Sequence, residues 1–147
     1  MIELFKMLLR RFEGVFLKPY ICPAGVPTIG AGATTYEDGR KVKMSDPPLT
    51  MRRSDELLEF HAQSFLDAAV KVSPILAKHP ERHVAVGDFA FNLGTTRYKA
   101  STLRKRVEAE DWDGAADEMM KWVWGGGRKL PGLVKRRSVD ANLLLTD

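Results

Sequence analysis

Apolar residues near the start of the chain fall at helical spacing. Ile2, Phe5, Leu8, Leu9 and Phe12 recur every three or four positions, with Glu3, Lys6, Arg10 and Arg11 between them. That period predicts an amphipathic helix. Gly14 supplies its stop, because glycine tolerates the left-handed backbone that ends helices. The pattern then changes. Between Val15 and Thr35, prolines at 19, 23 and 27 and glycines at 25, 30 and 32 interrupt any helix. Short strands are expected near 16–21 and 27–31. Asp38-Gly39, between Thr35-Tyr36 and Lys41-Val42, reads as a hairpin turn, and Asp46-Pro47-Pro48 as a loop.

Helical spacing returns after Thr50, whose side chain can cap a helix over about 51–72. Leu57, Leu58, His61, Phe65, Ala69 and Val72 share one face of it, and Pro74 closes it. His61 on that face reads as a packed residue rather than a ligand. The segment 81–93 is apolar enough to be a buried central helix, with Val84, Ala85, Phe89 and Leu93 inward. Further helices are expected near 102–109, 112–123 and 131–145. Ser101 or Thr102 caps the first of them, and Pro131 fits the first turn of the last. Gly125-Gly126-Gly127 reads either as a flexible loop or as a place where backbone approaches a ligand.

With 147 residues, 44% of them hydrophobic, the chain is long enough for one domain with an ordinary core. Lys plus Arg number 23 against 19 acids, a net charge of +4 that favours polyanionic partners. The charge is uneven: Arg97 to Arg106 carries five bases and no acid, and Glu108 to Glu118 is acidic. The basic stretch lacks the run of interleaved aromatics that a single-strand binder uses, so no specific nucleic-acid partner is expected. A single cysteine excludes an internal disulfide, and three scattered histidines with it form no zinc pattern. No stretch has the length of a membrane span, and charges break the N-terminal segment where a signal peptide would be uninterrupted.

Candidate chemistry begins at Glu13. It stands at the end of the first helix, where exposed carbonyls carry partial negative charge and disfavour a carboxylate. Partial burial beside Phe12 or Phe16 would add to that, and both effects suit a general acid. The competing reading is a surface glutamate at a fraying helix end. Likewise, a lone cysteine such as Cys22 is usually a small buried hydrophobe, and a strand threonine such as Thr28 usually reflects β-propensity.

The spacing is Glu13, eight residues, Cys22, five residues, Thr28. Around it stand Gly14, Tyr20, Gly25 and Thr28-Ile29-Gly30-Ala31-Gly32. Phe89-Ala90-Phe91-Asn92-Leu93-Gly94, Ser101-Thr102-Leu103, Gly114-Ala115-Ala116 and Lys129-Leu130-Pro131-Gly132-Leu133-Val134 follow in order. In these motifs the chain resembles the phage-type lysozymes, the endolysins of glycoside hydrolase family 24, over nearly its whole length.

The resemblance implies an α+β, lysozyme-like fold in one domain. A small β-sheet lobe over about 15–49 and a larger helical lobe over about 75–147 plus the N-terminal helix would flank a cleft. The implied activity is hydrolysis of the β-1,4 bond between N-acetylmuramic acid and N-acetylglucosamine in peptidoglycan, with inversion and without metal or cofactor. Glu13 would protonate the leaving oxygen. Cys22 stands where Asp is commoner, and would act as base, water-positioning group or nucleophile. Thr28 would hold the same water. Tyr20, Gly32 and Asn92 would meet substrate, and Trp122 would line the cleft edge or pack in the core. Arg136 and Arg137 would sit behind Glu13. Ala33 departs from the family's frequent His at that place. A monomer is expected, drawn by charge to the anionic envelope, held in the host cytoplasm until lysis and acting afterwards in the periplasm and wall. The alternatives are a lytic transglycosylase and a non-catalytic basic module that binds wall or nucleic acid.

Overall fold

The computed structural model describes residues 1–146, which fall into two compact units: residues 2–64, and the chain from Phe65 onward together with Met1.

In the first unit, α1 (Ile2–Glu13) ends where glycine permits. Gly14 has φ of 71°, and its N–H donates to the Arg10 carbonyl at 2.9 Å. Strand β1 (Phe16–Ile21) pairs antiparallel with β2 (Pro27–Gly30), setting Tyr20 opposite Thr28. Directly paired residues project from the same sheet face. The connecting turn is tied by Cys22 N–H to the Val26 carbonyl at 3.1 Å and Gly25 N–H to the Cys22 carbonyl at 2.8 Å. The Asp38-Gly39 turn forms as expected, its flanks joined by Tyr36 N–H to the Arg40 carbonyl and Val42 N–H to the Thr34 carbonyl, each at 2.9 Å. Helix α2 (Met51–Val72) starts on Thr50, whose Oγ1 accepts the Arg53 N–H at 3.0 Å.

A small core of Ile29, Ala33, Tyr36, Val42 and Leu57 packs the strands and turns onto this helix. His61 is half-buried, its Nε2 2.8 Å from the Thr35 carbonyl. Helix α1 groups with this unit. Ion pairs account for that. Lys6, only 3% exposed, reaches Asp55 at 3.0 Å and Glu59 at 2.9 Å on α2, and Arg10 pairs with the same Asp55.

The second unit takes the end of α2, a 3₁₀ turn (Pro74–Lys78), α3 (Pro80–Leu93), α4 (Thr95–Ala100), α5 (Thr102–Glu108) and α6 (Trp112–Met119). It closes with a two-stranded hairpin, β3 (Trp124–Gly125) and β4 (Arg128–Lys129), and α7 (Pro131–Leu144). Its core gathers Leu76, Val86, Phe89, Tyr98, Leu103, Val107 and Met119 around α3, which is buried along residues 82–90. Ser101 caps α5 by accepting the Arg104 N–H, and Asp111 caps α6 by accepting the Gly114 N–H. Helix α3 is joined to α7 by charge as well as packing. Arg136 grips Asp88 with two hydrogen bonds, at 2.9 and 2.7 Å, and neither residue is more than 5% exposed.

Candidate active site

The hairpin β1–β2 and the end of α1 build one pocket of about 330 Å³, lined by Glu13, Tyr20, Cys22, Thr28 and Gly32 among others. Five of the seven residues singled out from the sequence therefore meet. Local structure explains why. Helix α1 delivers Glu13 at its last turn. Strand register places Tyr20 and Thr28 on one face, and the turn after β1 folds Cys22 back toward Thr28. Phe12, Phe16, Pro23 and Thr34 complete the wall. The Phe16 and Tyr20 rings meet tilted at 47°, with centroids 4.6 Å apart.

Gly32 has a role that spacing alone does not reveal. A Cβ there would come within 3.0 Å of both Cγ and Cδ of Glu13, and its φ of 79° is one that side-chain-bearing residues rarely adopt. The backbone at 32 is thus the floor against which the Glu13 side chain lies.

The electrostatics tie the group together. Burial, then the negative charge of Glu13, then that of Cys22 push the Tyr20 phenol above its ordinary value. Tyr20 therefore keeps its proton and can donate. The Cys22 thiol moves the other way. A hydrogen bond from the Thr28 hydroxyl lowers it most, the backbone N–H of Val26 next, and partial burial opposes them. Thr28 Oγ1 also donates to the Val26 carbonyl at 2.9 Å. One hydroxyl has one proton, so the two bonds are alternatives. The proton goes to Val26 beside a neutral thiol and to Sγ beside a thiolate. Thr28 is only 2% exposed and Cys22 half-buried, so Cys22 is the group that meets solvent, with Thr28 behind it.

A larger pocket of about 490 Å³ lies in the same unit, beside Tyr36 and Arg53. Its charged groups already satisfy one another. Arg53 makes two bonds to Glu37 at 2.7 and 2.6 Å, and Asp46 accepts from Tyr36 Oη at 2.7 Å and Lys43 N–H at 2.9 Å.

The other two residues belong to the second unit. Asn92 Oδ1 accepts from Arg137 at 2.9 Å. A guanidinium only donates, so the oxygen must face Arg137 and the Asn92 NH₂ points away from it. Trp122 is half-buried and packs edge-on against Phe89, with centroids 5.2 Å apart, at the margin of the helical core.

A family model described as Phage lysozyme matches residues 10–140. Among curated relatives, an endolysin of Acyrthosiphon pisum secondary endosymbiont phage 1 is 35% identical, covering 93% of this chain and 92% of the relative. A SAR-endolysin of Escherichia phage Mu is 32% identical over 94% of this chain and 77% of the relative. Among solved structures, an endolysin from the Escherichia coli O157:H7 phage FAHEc1 superposes with a TM-score of 0.81 at 28% identity, covering 96% of this chain and 90% of that one. A mutant of P22 lysozyme gives 0.74 at 28% identity, with 97% and 95% coverage.

Proposed function

The chain belongs to the phage lysozyme family, and from that premise we propose that Glu13, Cys22 and Thr28 carry its chemistry. The protein is a muramidase of the endolysin kind, a hydrolase of peptidoglycan serving host lysis. The observation that carries the site assignment is the pocket in which the end of α1 presents Glu13 to the same space as Cys22, Tyr20 and Thr28.

In this reading Glu13 gives its proton to the glycosidic oxygen as the bond from that oxygen to the anomeric carbon breaks. A water attacks the same carbon from the opposite face, its proton passes to the Cys22 thiolate, and the configuration inverts. An unperturbed thiol is only a few per cent thiolate at pH 7. The Thr28 bond raises that share, which gives the threonine its purpose. Gly32 sets the position of the acid, Tyr20 offers a donor at the pocket wall, and Asn92, in the second unit, has an NH₂ to offer a sugar acceptor. Trp122 packs on Phe89 in the helical core, and Arg136 and Arg137 tie α7 to α3 through Asp88. Glu13, Tyr20, Cys22, Thr28 and Gly32 come from one stretch of one chain.

Cys22 is the test of this water-handling half. Iodoacetate should inactivate the enzyme, with a rate that rises at lower pH than for an ordinary thiol. Thr28→Val should move that profile upward, because the largest cause of the lowering is gone. Cys22→Asp should stay active, since a carboxylate can take the same proton. Cys22→Ala should fall by roughly a hundredfold, the low end for losing a positioned base. Lysis that persists after mass spectrometry shows Cys22 fully carboxymethylated would remove it from the reaction.

Charge governs the approach to the polymer. Of the five bases from Arg97 to Arg106, Arg104 and Arg106 pair with Glu108 at 3.5 Å and Asp111 at 3.0 Å. Arg97, Lys99 and Lys105 remain exposed. Lysis of whole cells should therefore fall as salt rises through screening, while turnover of a short soluble glycan changes little. Equal salt dependence for both substrates would argue against docking by charge.

Among the described residues no helix is long and apolar enough to cross a membrane. Lys6 and Arg10 of α1 are engaged by α2. That supports reading α1 as part of the folded enzyme, stored in the host cytoplasm and acting on the wall once released.

A further inference from the structure

The β3–β4 hairpin has two unlike faces. Val123, 3% exposed, and half-buried Leu130 lie on one, joined by Leu130 N–H to the Val123 carbonyl at 3.0 Å. Gly125 continues that face. A Cβ there would come 2.5 Å from Leu130 Cδ1, so the leucine side chain lies directly on the strand. Trp124 and Lys129 are opposite partners in register and project from the other face. Trp124 is 59% exposed, with Lys129 Nζ 5.8 Å from its ring centroid. The turn between them is Gly126-Gly127, with φ of 59° and 81°, the tight two-residue kind that needs left-handed backbone at both positions. An indole is thus held in solvent on a strand pinned from beneath.

Along the flanking chain the charge has one sign. No acid occurs between Met119 and Val139. Lys121 is paired with Glu118 at 2.8 Å. Arg128, Lys129 and Lys135 have no ion pair among the described residues. Scattered exposed apolar side chains are ordinary. An indole and an unneutralised ammonium in cross-strand register make a different surface. An indole face takes the apolar C–H face of a sugar ring, and the ammonium takes a carboxylate beside it.

We propose that the Trp124–Lys129 face of this hairpin is a second binding contact for the peptidoglycan polymer. It takes a sugar ring on Trp124 and a stem-peptide carboxylate on Lys129. The inference rests on peptidoglycan being the substrate and not on the role of Glu13. Its function is retention on the insoluble wall, where losing the polymer after each cut would cost a new encounter.

Co-sedimentation with purified sacculi tests it, using the Glu13→Gln protein so that nothing is cut. Trp124→Ala should weaken binding about tenfold, as loss of an exposed aromatic anchor does. Lys129→Ala should weaken it about threefold, the range of an exposed ion pair. Lys78→Ala, an exposed base outside the hairpin, should bind like its parent. Melting temperatures should match across the set, because these side chains are exposed. Unaltered sedimentation of Trp124→Ala overturns the inference. So does a loss seen only on phosphatidylglycerol vesicles and not on sacculi, which would make the face a membrane contact. Lysis by the Glu13→Gln parent would sink the acid assignment instead, and the binding comparison would still be read on wild type at low temperature.

Discussion

Glu13→Gln is expected to lose roughly a thousandfold in kcat on purified peptidoglycan, within the range for removing a positioned general acid, while KM stays near wild type. Gln has the shape of Glu and the same reach into the pocket, so ground-state contacts survive. What it lacks is the proton for the departing oxygen. An interaction needed only as that bond breaks shows itself in kcat rather than KM. Thermal melts run beside the assay separate a lost proton donor from a lost fold. Product analysis belongs to the same experiment. The wild type should release reducing muramic acid ends in the inverted anomer, and an anhydro product would replace hydrolysis by transglycosylation. A folded Glu13→Gln enzyme with near-wild-type kcat would remove the acid from Glu13.

Much of this is legible in the sequence, for identifiable reasons. Helices α1, α2, α3, α5 and α7 announce themselves through three- and four-residue periods and local punctuation. Gly14, Thr50, Ser101 and Pro131 each act at the terminus where the sequence puts them. The elements that escaped have no such local signal. Helix α4 starts on Gly94 without a side-chain cap and buries only Tyr98, whose hydroxyl lies 2.7 Å from Ser73 Oγ, far back in sequence. The 3₁₀ turn buries only Leu76. Helix α6 stops at Met119 rather than near 123 because the following residues enter a hairpin that the three glycines disguised as a loop.

The site divides in the same way. Glu13, Tyr20, Cys22, Thr28 and Gly32 all lie within a short run, so strand register and one helix end suffice to assemble them. The close approach of Gly32 to Glu13 depends on backbone path. The bond from Arg137 to Asn92 spans 45 positions, and the packing of Trp122 on Phe89 likewise needs the tertiary fold.

Asp88→Ala is expected to destabilise the protein by about 3–5 kcal/mol, the cost of breaking a buried ion pair. That is a drop of roughly 10 °C or more in melting temperature. Asp88 is fully buried. It takes two bonds from Arg136 and lies 3.7 Å from Arg137, itself fully buried. Alanine would remove the carboxylate that both guanidiniums share. The neighbouring acid should behave oppositely. Asp140 is also fully buried, 3.4 Å from Arg137 and beside Asp88. Burial first, and the charge of Asp88 next, raise its pKa well above the carboxylate range. A carboxyl whose folded pKa is raised contributes stability that is full below the unfolded value, about 3.9, and is lost as pH rises toward the folded one. At neutral pH Asp140 therefore works against folding, and Asp140→Asn should hold or raise the melting temperature there. Any gain should shrink toward zero below about pH 4. Thermal melts of both variants across pH 3–8 check the pair. Equal losses from both substitutions at pH 7 would mean that Asp140 is an ionised partner of Arg137 on the same footing as Asp88.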